Sequence, residues 1–571
     1  MLLLRLLILC VSIFGYVLFF HKQQRIKLAF APAMSVSFIM LGVFLSGLLG
    51  VLEWGVYLLL LLGVALLIWM LLKKTPTVWK KLLANPALIF LTLSGVLLFL
   101  RFQNRVLYSY DDFSHWGTIV KSMLINNSFP SSANSFLIFQ SYPPGSACWI
   151  YFVSRILGAK EGFYLFANSM LTLAYLSTLF AFFGKRRWYH LILPLTGAIL
   201  LYTNVLDPNS LGVDAMLAAA GLASVLTIYR YRDEVLARAW LILPMICATI
   251  LIKNSGIFFS LLSMALFLFY LSEQKSERRG AKWAAALAVA IVPIAVLLLW
   301  RWHVSASFLS GFATKHAMST QNFLSLWSAN RGRSLEMLQL ILLWIINPVS
   351  NHTILVLGGF AALAGLEALL RRNKEANQRN ITLILVLVLC TLLYEIGIAG
   401  MYLFSMPYAE FFYQNGQDYI RYNSTFVGFL CGILIAYCGV KLSDKSAASA
   451  LAFNWVLRLG TLALMLICLL PNTKLGQLMP SYRTELETKI ETLHHTIEEA
   501  NVPLGGSYYV KASSSDVDFA SHLFRYQLYS SDVTMTTIAV DSAEIGEVVS
   551  FYTAYINWDT MRVYTYDTFE G

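Results

Sequence analysis

The chain has 571 residues, of which 58% are hydrophobic and only 13% are charged. Soluble domains carry about 25% charged residues, so this composition excludes an ordinary soluble enzyme and a disordered protein. The formal net charge is +11, but the basic residues lie between apolar runs and do not cover one face, which argues against a nucleic-acid partner and leaves a polytopic membrane protein.

The apolar runs predict about fourteen transmembrane helices, because a helix that crosses a bilayer needs about 20 mostly apolar residues. The predicted spans are 3–20, 28–48, 51–72, 86–103, 161–183, 188–204, 211–229, 238–253, 255–271, 283–300, 352–370, 381–402, 424–440 and 453–471. The spans 238–253 and 255–271 could instead form one broken helix, since the polar residues at 253–255 interrupt them.

The distribution of Lys and Arg among the loops predicts the orientation of the spans. The short loops on one side hold 23 Lys and Arg, whereas the three long loops on the other side, 104–160, 302–351 and 403–423, hold eight. Cytoplasmic loops carry the excess of basic residues. The chain is therefore predicted to be a multi-pass protein of the cell membrane, bacterial in style, whose long loops lie outside the cytoplasm.

Residues 472–571 differ from the rest of the chain, with 6 Lys and Arg against 14 Asp and Glu. We predict a transmembrane domain over 1–471 and a soluble extracytoplasmic domain over 472–571. Helices are predicted at 481–500, 516–528 and 542–555, and strands at 507–511, 533–540 and 561–566. The fold class is thus mainly α, with a small C-terminal α/β domain whose alternating elements indicate a parallel sheet. We expect an accessory or acceptor-handling role for this domain.

The first long loop opens with YDDFSHWG, which contains Asp111 and Asp112. Charged residues close to a membrane span are costly and tend to be functional. A carboxylate beside another carboxylate or an apolar surface suits a general base that acts near neutral pH. In the alternative interpretation, Asp112 is the N-cap of the helix that follows. Both interpretations can hold, with one carboxylate capping and the other reacting.

The same loop ends with SYPPG at 141–145, where two prolines and a glycine fix a rigid turn. With YDDFSHWG, RYN at 421–423 and the predicted topology, this pattern resembles the GT-C glycosyltransferases, integral membrane enzymes that use lipid-phosphate-linked sugars. The resemblance covers roughly residues 1–471 in topology. It implies a polyprenyl-phosphate sugar as donor and an active site at the acidic pair. It also implies that one carboxylate, with Asp111 favoured, deprotonates the acceptor hydroxyl, which then displaces the lipid phosphate with inversion.

The anionic leaving group needs positive charge near it, and few cations are predicted on the outer side. Arg421 is the best candidate, because a guanidinium binds phosphate through two parallel hydrogen bonds; its alternative role is an anchor at the bilayer interface. Lys253 is the next candidate, and it could instead be the partner of a buried carboxylate. Further candidates in the second long loop are Lys315, His316, Arg331 and Arg333. Of these, Lys315, Arg331 and Arg333 could instead be solvated loop charges.

Two further substrate-binding candidates lie in the first long loop. His115 would share a helix face with the acidic pair, or it could be a structural histidine beside Trp116. Tyr142 belongs to a set of loop aromatics whose faces suit sugars, although such residues also suit the bilayer interface. No His, Asp and Glu cluster has the spacing of metal ligands, so neither a metal nor a cofactor is predicted. Some GT-C enzymes do need a divalent metal, for which Asp111, Asp112 and His115 could supply ligands.

The leading interpretation is a membrane glycosyltransferase that acts at the outer face of the cytoplasmic membrane. The acceptor would be a cell-surface glycan, a teichoic-acid-type polymer, a lipid or a protein. A transporter or flippase of lipid-linked sugars is the alternative from another class, but the chain has no clear internal repeat and its charges gather in loops. A surface-polysaccharide polymerase or ligase shares the chemistry and stays open.

Overall fold

The computed structural model describes residues 1–73, 82–132, 136–184, 187–205, 208–275, 278–308, 324–325, 327–328, 331–346, 351–369, 374–404, 406, 417–443, 451–469, 474–479 and 481–567. The candidates Lys315 and His316 lie outside these residues. The helices of the membrane part are α1 Leu2–Leu18, α2 Ala31–Leu48, α3 Leu52–Leu72, α4 Pro86–Phe102, α5 Gly117–Asn126, α6 Gly145–Leu157, α7 Glu161–Leu176, α8 Tyr189–Val205, α9 Asp214–Arg230, α10 Val235–Ile252, α11 Gly256–Glu273, α12 Arg279–Ser307, α13 Arg331–Ile346, α14 Asn351–Leu369, α15 Lys374–Phe404, α16 Gln417–Ser443 and α17 Leu451–Leu469.

Each of the fourteen predicted spans lies on a helix of the described chain. Within the described residues, ten helical stretches, Leu2–Gln23 and Asp418–Leu442 among them, are long and apolar enough to cross a membrane. The spans that were predicted on α4, α8, α9 and α14 do not reach this combination of length and hydropathy within the described residues. The prediction of a mainly α, polytopic membrane fold is confirmed.

The polar residues at 253–255 separate two helices, so the alternative of one broken helix is wrong. Lys253 has an extended backbone, and α11 begins three residues later at Gly256. A Cβ atom at Gly256 would lie 2.3 Å from the carbonyl oxygen of Thr249, so only glycine fits this close approach of the two helices. Helices α10 and α11 pack against each other as a hairpin and place Lys253 at its tip.

Helix α9 lies at the centre of the part of the fold that carries the candidate residues. It packs against α16, α10, α7 and α11, and most of its side chains are buried. The first residue of α9, Asp214, is therefore close to the first turns of α16 and to the tip of the α10–α11 hairpin. Three segments that are far apart in the sequence meet at this one end of the helix bundle.

The C-terminal part contains the helices α18 Glu485–Glu499, α19 Val517–Leu528 and α20 Ile545–Phe551 and the strands β1 Tyr508–Lys511, β2 Val533–Thr536, β3 Ala554–Asn557 and β4 Arg562–Tyr564. The sheet has the strand order β2-β1-β3-β4. Strand β1 is parallel to β2 and β3, with Tyr508 opposite Val533 and Ala554, whereas β4 is antiparallel to β3.

Two predicted elements of this part were wrong in detail. The helix predicted over 542–555 ends at Phe551, and its last two residues belong to β3, which the sequence analysis missed. Strand β3 pairs with strands on both sides and is buried at Ala554–Ile556, so the tertiary pairing and not local propensity decides its conformation. The strand predicted at 533–540 ends at Thr536.

Candidate active site

The acidic pair lies at the start of a short π-helical turn, Asp112–Trp116, which leads into α5. Asp111 is at the N-cap position, but its backbone is helical and its side chain makes no capping hydrogen bond. Asp112 is not an N-cap either, because it is the first residue inside the turn. The capping interpretation of the pair is therefore wrong.

The two carboxylates have different surroundings. The side chain of Asp112 is fully buried, and its Oδ1 accepts hydrogen bonds from the backbone N–H of Leu211 at 2.8 Å and from Ser210 Oγ at 3.1 Å. This contact ties the π-helical turn to the segment that precedes α9. Asp111 is 37% exposed, and its Oδ2 lies 2.6 Å from Arg421 Nη1. Of the two, Asp111 is the carboxylate that a substrate can reach.

Arg421 is the centre of a group of charged side chains that we call the charge cluster: Asp111, Asp214, Lys253, Asp418 and Arg421. Its guanidinium lies 3.1 Å from Asp418 and 3.8 Å from Asp214 in addition to its contact with Asp111. Lys253 Nζ donates to Asp214 at 2.7 Å. The cluster contains three carboxylates and two cations, so it carries one excess negative charge.

An aromatic ring supports both cations of the charge cluster. Lys253 Nζ lies 4.6 Å from the ring centre of Tyr422, and the Arg421 guanidinium carbon lies 5.3 Å from it. Tyr422 is buried, and its carbonyl oxygen accepts a hydrogen bond from Tyr394 Oη at 3.0 Å. A cation over an aromatic face is attracted by the ring, so Tyr422 helps to fix both cations at this position.

His115 lies in an aromatic cluster instead of against the carboxylates. Its ring centre is 4.5 Å from Trp116, 5.8 Å from Phe139 and 5.2 Å from Tyr142, and only 2% of the residue is exposed. Within the part of the chain that the structure describes, neither ring nitrogen has a hydrogen-bond partner. Burial, with a smaller effect of Lys253, lowers the pKa of His115 to about 3. The histidine is thus neutral near pH 7, as expected of a structural histidine beside Trp116.

The other predicted candidates are placed as follows. Tyr142 packs on His115 and Trp116, and burial raises its pKa well above the ordinary value, with further contributions from Tyr422 and Asp111. Arg331 is exposed at the start of α13, with its guanidinium 6.0 Å from the ring of Trp327. In the described residues, no ion pair joins Arg331 to the charge cluster.

Sequence reasoning missed Asp214 as a member of the charge cluster. Asp214 was counted as part of the span 211–229 and received no role, although a carboxylate inside a predicted span is a signal for function. Lys253 was given the alternative role of partner to a buried carboxylate, and Asp214 is that partner. Among the described residues, no group of three or more His, Cys, Asp or Glu side chains is placed to hold a metal ion.

Comparisons with known proteins gave two structural similarities. No protein family model matches the chain, and no curated protein matches it. A crystal structure of ArnT from Cupriavidus metallidurans in the apo state is similar, with 16% identity over 79% of this chain and 86% of that chain and a TM-score of 0.41. A crystal structure of the same protein bound to undecaprenyl phosphate shows 14% identity over 87% and 91% of the two chains, with a TM-score of 0.42.

Proposed function

We propose that this protein is a membrane glycosyltransferase that moves a sugar from a polyprenyl-phosphate donor to a hydroxyl of a cell-surface acceptor. The observation that carries the proposal is the contact of 2.6 Å between Asp111 and Arg421, with Lys253 in the same charge cluster. A reachable carboxylate thus contacts one cation, and a second cation belongs to the same cluster at this end of the helix bundle. Transfer from a lipid phosphate needs such a base and such a phosphate site side by side.

Donor binding begins at Arg421. The cluster already has one excess negative charge, so the donor phosphate must take the place of a carboxylate on the guanidinium. Asp111 is the carboxylate that leaves the guanidinium, because its side chain is the most exposed of the three. It is 37% exposed, against 22% for Asp418 and 14% for Asp214. Asp214 is held by Lys253 as well. Binding of the phosphate therefore releases Asp111 next to the sugar.

The released carboxylate then acts as the general base. Asp111 accepts the proton of the acceptor hydroxyl while the hydroxyl oxygen forms a bond to the anomeric carbon. The bond between that carbon and the phosphate oxygen breaks, and its electron pair stays on the phosphate, where Arg421 and Lys253 stabilise the charge. Attack from the face opposite the phosphate inverts the anomeric carbon. Asp112 positions this machinery through its hydrogen bonds to Ser210 and Leu211.

The reaction is assigned to the outer face of the cytoplasmic membrane. The sequence-based orientation supports this side, because the loops that hold 23 Lys and Arg lie at the opposite ends of the spans. The acceptor class stays open between glycan, teichoic-acid-type polymer, lipid and protein, and a polymerase or ligase reaction uses the same groups.

The test is sugar transfer in membranes from a panel of polyprenyl-phosphate sugars, with Asp111→Asn and Asp112→Asn compared with the wild type. We expect Asp111→Asn to lower transfer by about 1,000-fold, since it removes the base. Asp112→Asn should lower it less and should reduce the thermal stability, because it weakens a buried hydrogen-bonded contact. Asp233→Asn, on an exposed carboxylate in a predicted cytoplasmic loop, is the control. Undiminished transfer by Asp111→Asn contradicts the proposal, and inactive wild type with every donor favours the transporter alternative.

A further inference from the structure

The C-terminal part of the chain packs on the residues that flank the acidic pair. Helix α19 turns one face toward the π-helical turn, through Phe519, His522 and Tyr526, whose spacing of three and four residues places them on the same side of a helix. The ring of Phe113 lies 5.7 Å from Phe519 and 5.3 Å from Tyr526. The ring of His522 lies 5.0 Å from Tyr110. The contacted residues, Tyr110 and Phe113, directly precede and follow the acidic pair in the sequence.

Polar contacts fix the same interface at its edges. Lys121 Nζ donates to the carbonyl oxygen of Gln527 at 2.9 Å, and Gln527 Nε2 donates to Glu161 Oε1 at 3.3 Å. The other oxygen of Glu161 accepts from the backbone N–H of Leu107 at 2.7 Å. Arg105 forms an ion pair of 3.0 Å with Glu487, and both side chains are 3% exposed. The segment from 105 to 121 is thus held by the C-terminal part at several points.

The π-helical turn depends on such support. A π-helical turn is rare and occurs mostly as a single turn within other helical structure, so we expect surrounding contacts to stabilise it. Here the N-terminus of the turn has no side-chain cap. The face of α19 packs on Phe113, the residue that directly follows Asp112, and Phe113 is only 2% exposed.

We infer that α19 is a positioning element of the active site and that Phe519 and Tyr526 set the position of the Asp111 carboxylate relative to Arg421. The inference rests on the proposed function, because the carboxylate that is positioned is the proposed base. It gives the C-terminal part a role in the transfer step itself, beyond the accessory or acceptor-handling role expected from the sequence. A displacement of about 1 Å in such a group can lower a rate by about 100-fold.

The test compares two phenylalanines of the same helix in the full-length protein. Phe519 packs on both Phe113 and Trp558, whereas Phe524 packs on Trp558 inside the C-terminal part, with ring centres 6.1 Å apart. Phe519→Leu should lower kcat about 10-fold or more, because it displaces the Asp111 carboxylate that acts as the base. Phe524→Leu should change kcat by less than about twofold. Tyr526→Leu should lower kcat more than Tyr526→Phe does, because only phenylalanine keeps a ring packed on Phe113.

A second measurement does not depend on activity. Amide hydrogen exchange of the peptide that spans 107–117 should be faster in Phe519→Leu than in wild type and unchanged in Phe524→Leu. Equal kcat and equal exchange in the two leucine variants would overturn the inference. Absence of transfer by wild type with every donor would count against the proposed function alone, and the exchange comparison would still decide whether α19 orders the turn.

Discussion

Arg421 connects the parts of the candidate site, because three carboxylates compete for one guanidinium. Its contacts with Asp111, Asp418 and Asp214 span 2.6 to 3.8 Å, and Tyr422 lies beneath it. A planar guanidinium can hold a carboxylate and a phosphate oxygen in a fixed geometry, which a lysine ammonium cannot reproduce. The exchange of Asp111 for phosphate therefore depends on arginine at this position.

Arg421→Lys is expected to lower kcat/KM for sugar transfer by about 10- to 100-fold, and Arg421→Ala by at least about 100-fold, because a phosphate-stabilising donor is lost. The measurement is steady-state transfer at several donor concentrations. Arg232→Lys is the matched control, since Arg232 is exposed in a predicted cytoplasmic loop. Wild-type kinetics for Arg421→Lys would show that a point charge is enough and would contradict the exchange mechanism.

His115 predicts a pH dependence of stability. Its pKa is lowered from 6.5 to about 3 in the folded protein, so the unfolded state binds the extra proton below pH 6.5. The stability is fully present above pH 6.5 and falls as the pH drops from 6.5 toward 3, by about 2 kcal/mol at pH 5. Thermal unfolding of the purified protein at pH 7 and pH 5 measures this loss.

His115→Phe isolates the contribution of the histidine. The substitution keeps an aromatic ring among Trp116, Phe139 and Tyr142 and removes the titrating group, so the decrease in stability between pH 7 and pH 5 should be smaller than in wild type. Other titrating groups are common to both proteins and cancel in the comparison. An equal decrease in the two proteins would mean that protonation of His115 does not limit stability in this range.

At the scale of elements, the hairpin of α10 and α11 decides where Lys253 lies. The sequence indicated the interruption at 253–255 but left one broken helix and two helices open, because hydropathy alone does not report a reversal of direction. The close approach of Gly256 to Thr249 is what the sequence could not reveal. Likewise, β3 was missed because its conformation depends on pairing with its two neighbouring strands, β1 and β4.

Gly256→Ala is expected to destabilise the protein by about 1–3 kcal/mol, because the added methyl group would overlap the Thr249 carbonyl and force the helices apart. The shift should also move Lys253 away from Asp214 and lower the transfer rate. Thermal unfolding and transfer assays measure the two effects. Gly280→Ala is the control, since a Cβ atom there meets nothing within 4 Å. Similar behaviour of the two variants would show that the turn tolerates a side chain.

At the scale of the molecule, the sequence predicted where the helices lie along the chain but not which helices pack together. The spans follow from hydropathy, which each segment carries by itself. The pairing of α9 with α16, which brings Asp214 to Arg421, depends on which apolar faces fit together, and lipid-facing and helix-facing residues are similarly apolar. The candidate site could therefore be predicted as a set of outer-side charges, but the carboxylate that completes it could not.

The orientation of the whole chain is testable through the C-terminal part. The buried ion pair of Arg105 and Glu487 requires the first long loop and the C-terminal part to lie on the same side of the membrane. A cysteine at the exposed Ser542 should react with a membrane-impermeant maleimide in intact cells, whereas one at the exposed Asp233 should react only after permeabilisation. Wild type gives the background from the seven native cysteines. The reverse labelling pattern would place the charge cluster on the cytoplasmic side of the membrane. This result would contradict the proposed outer-face reaction, and it would do so without any assay of transfer.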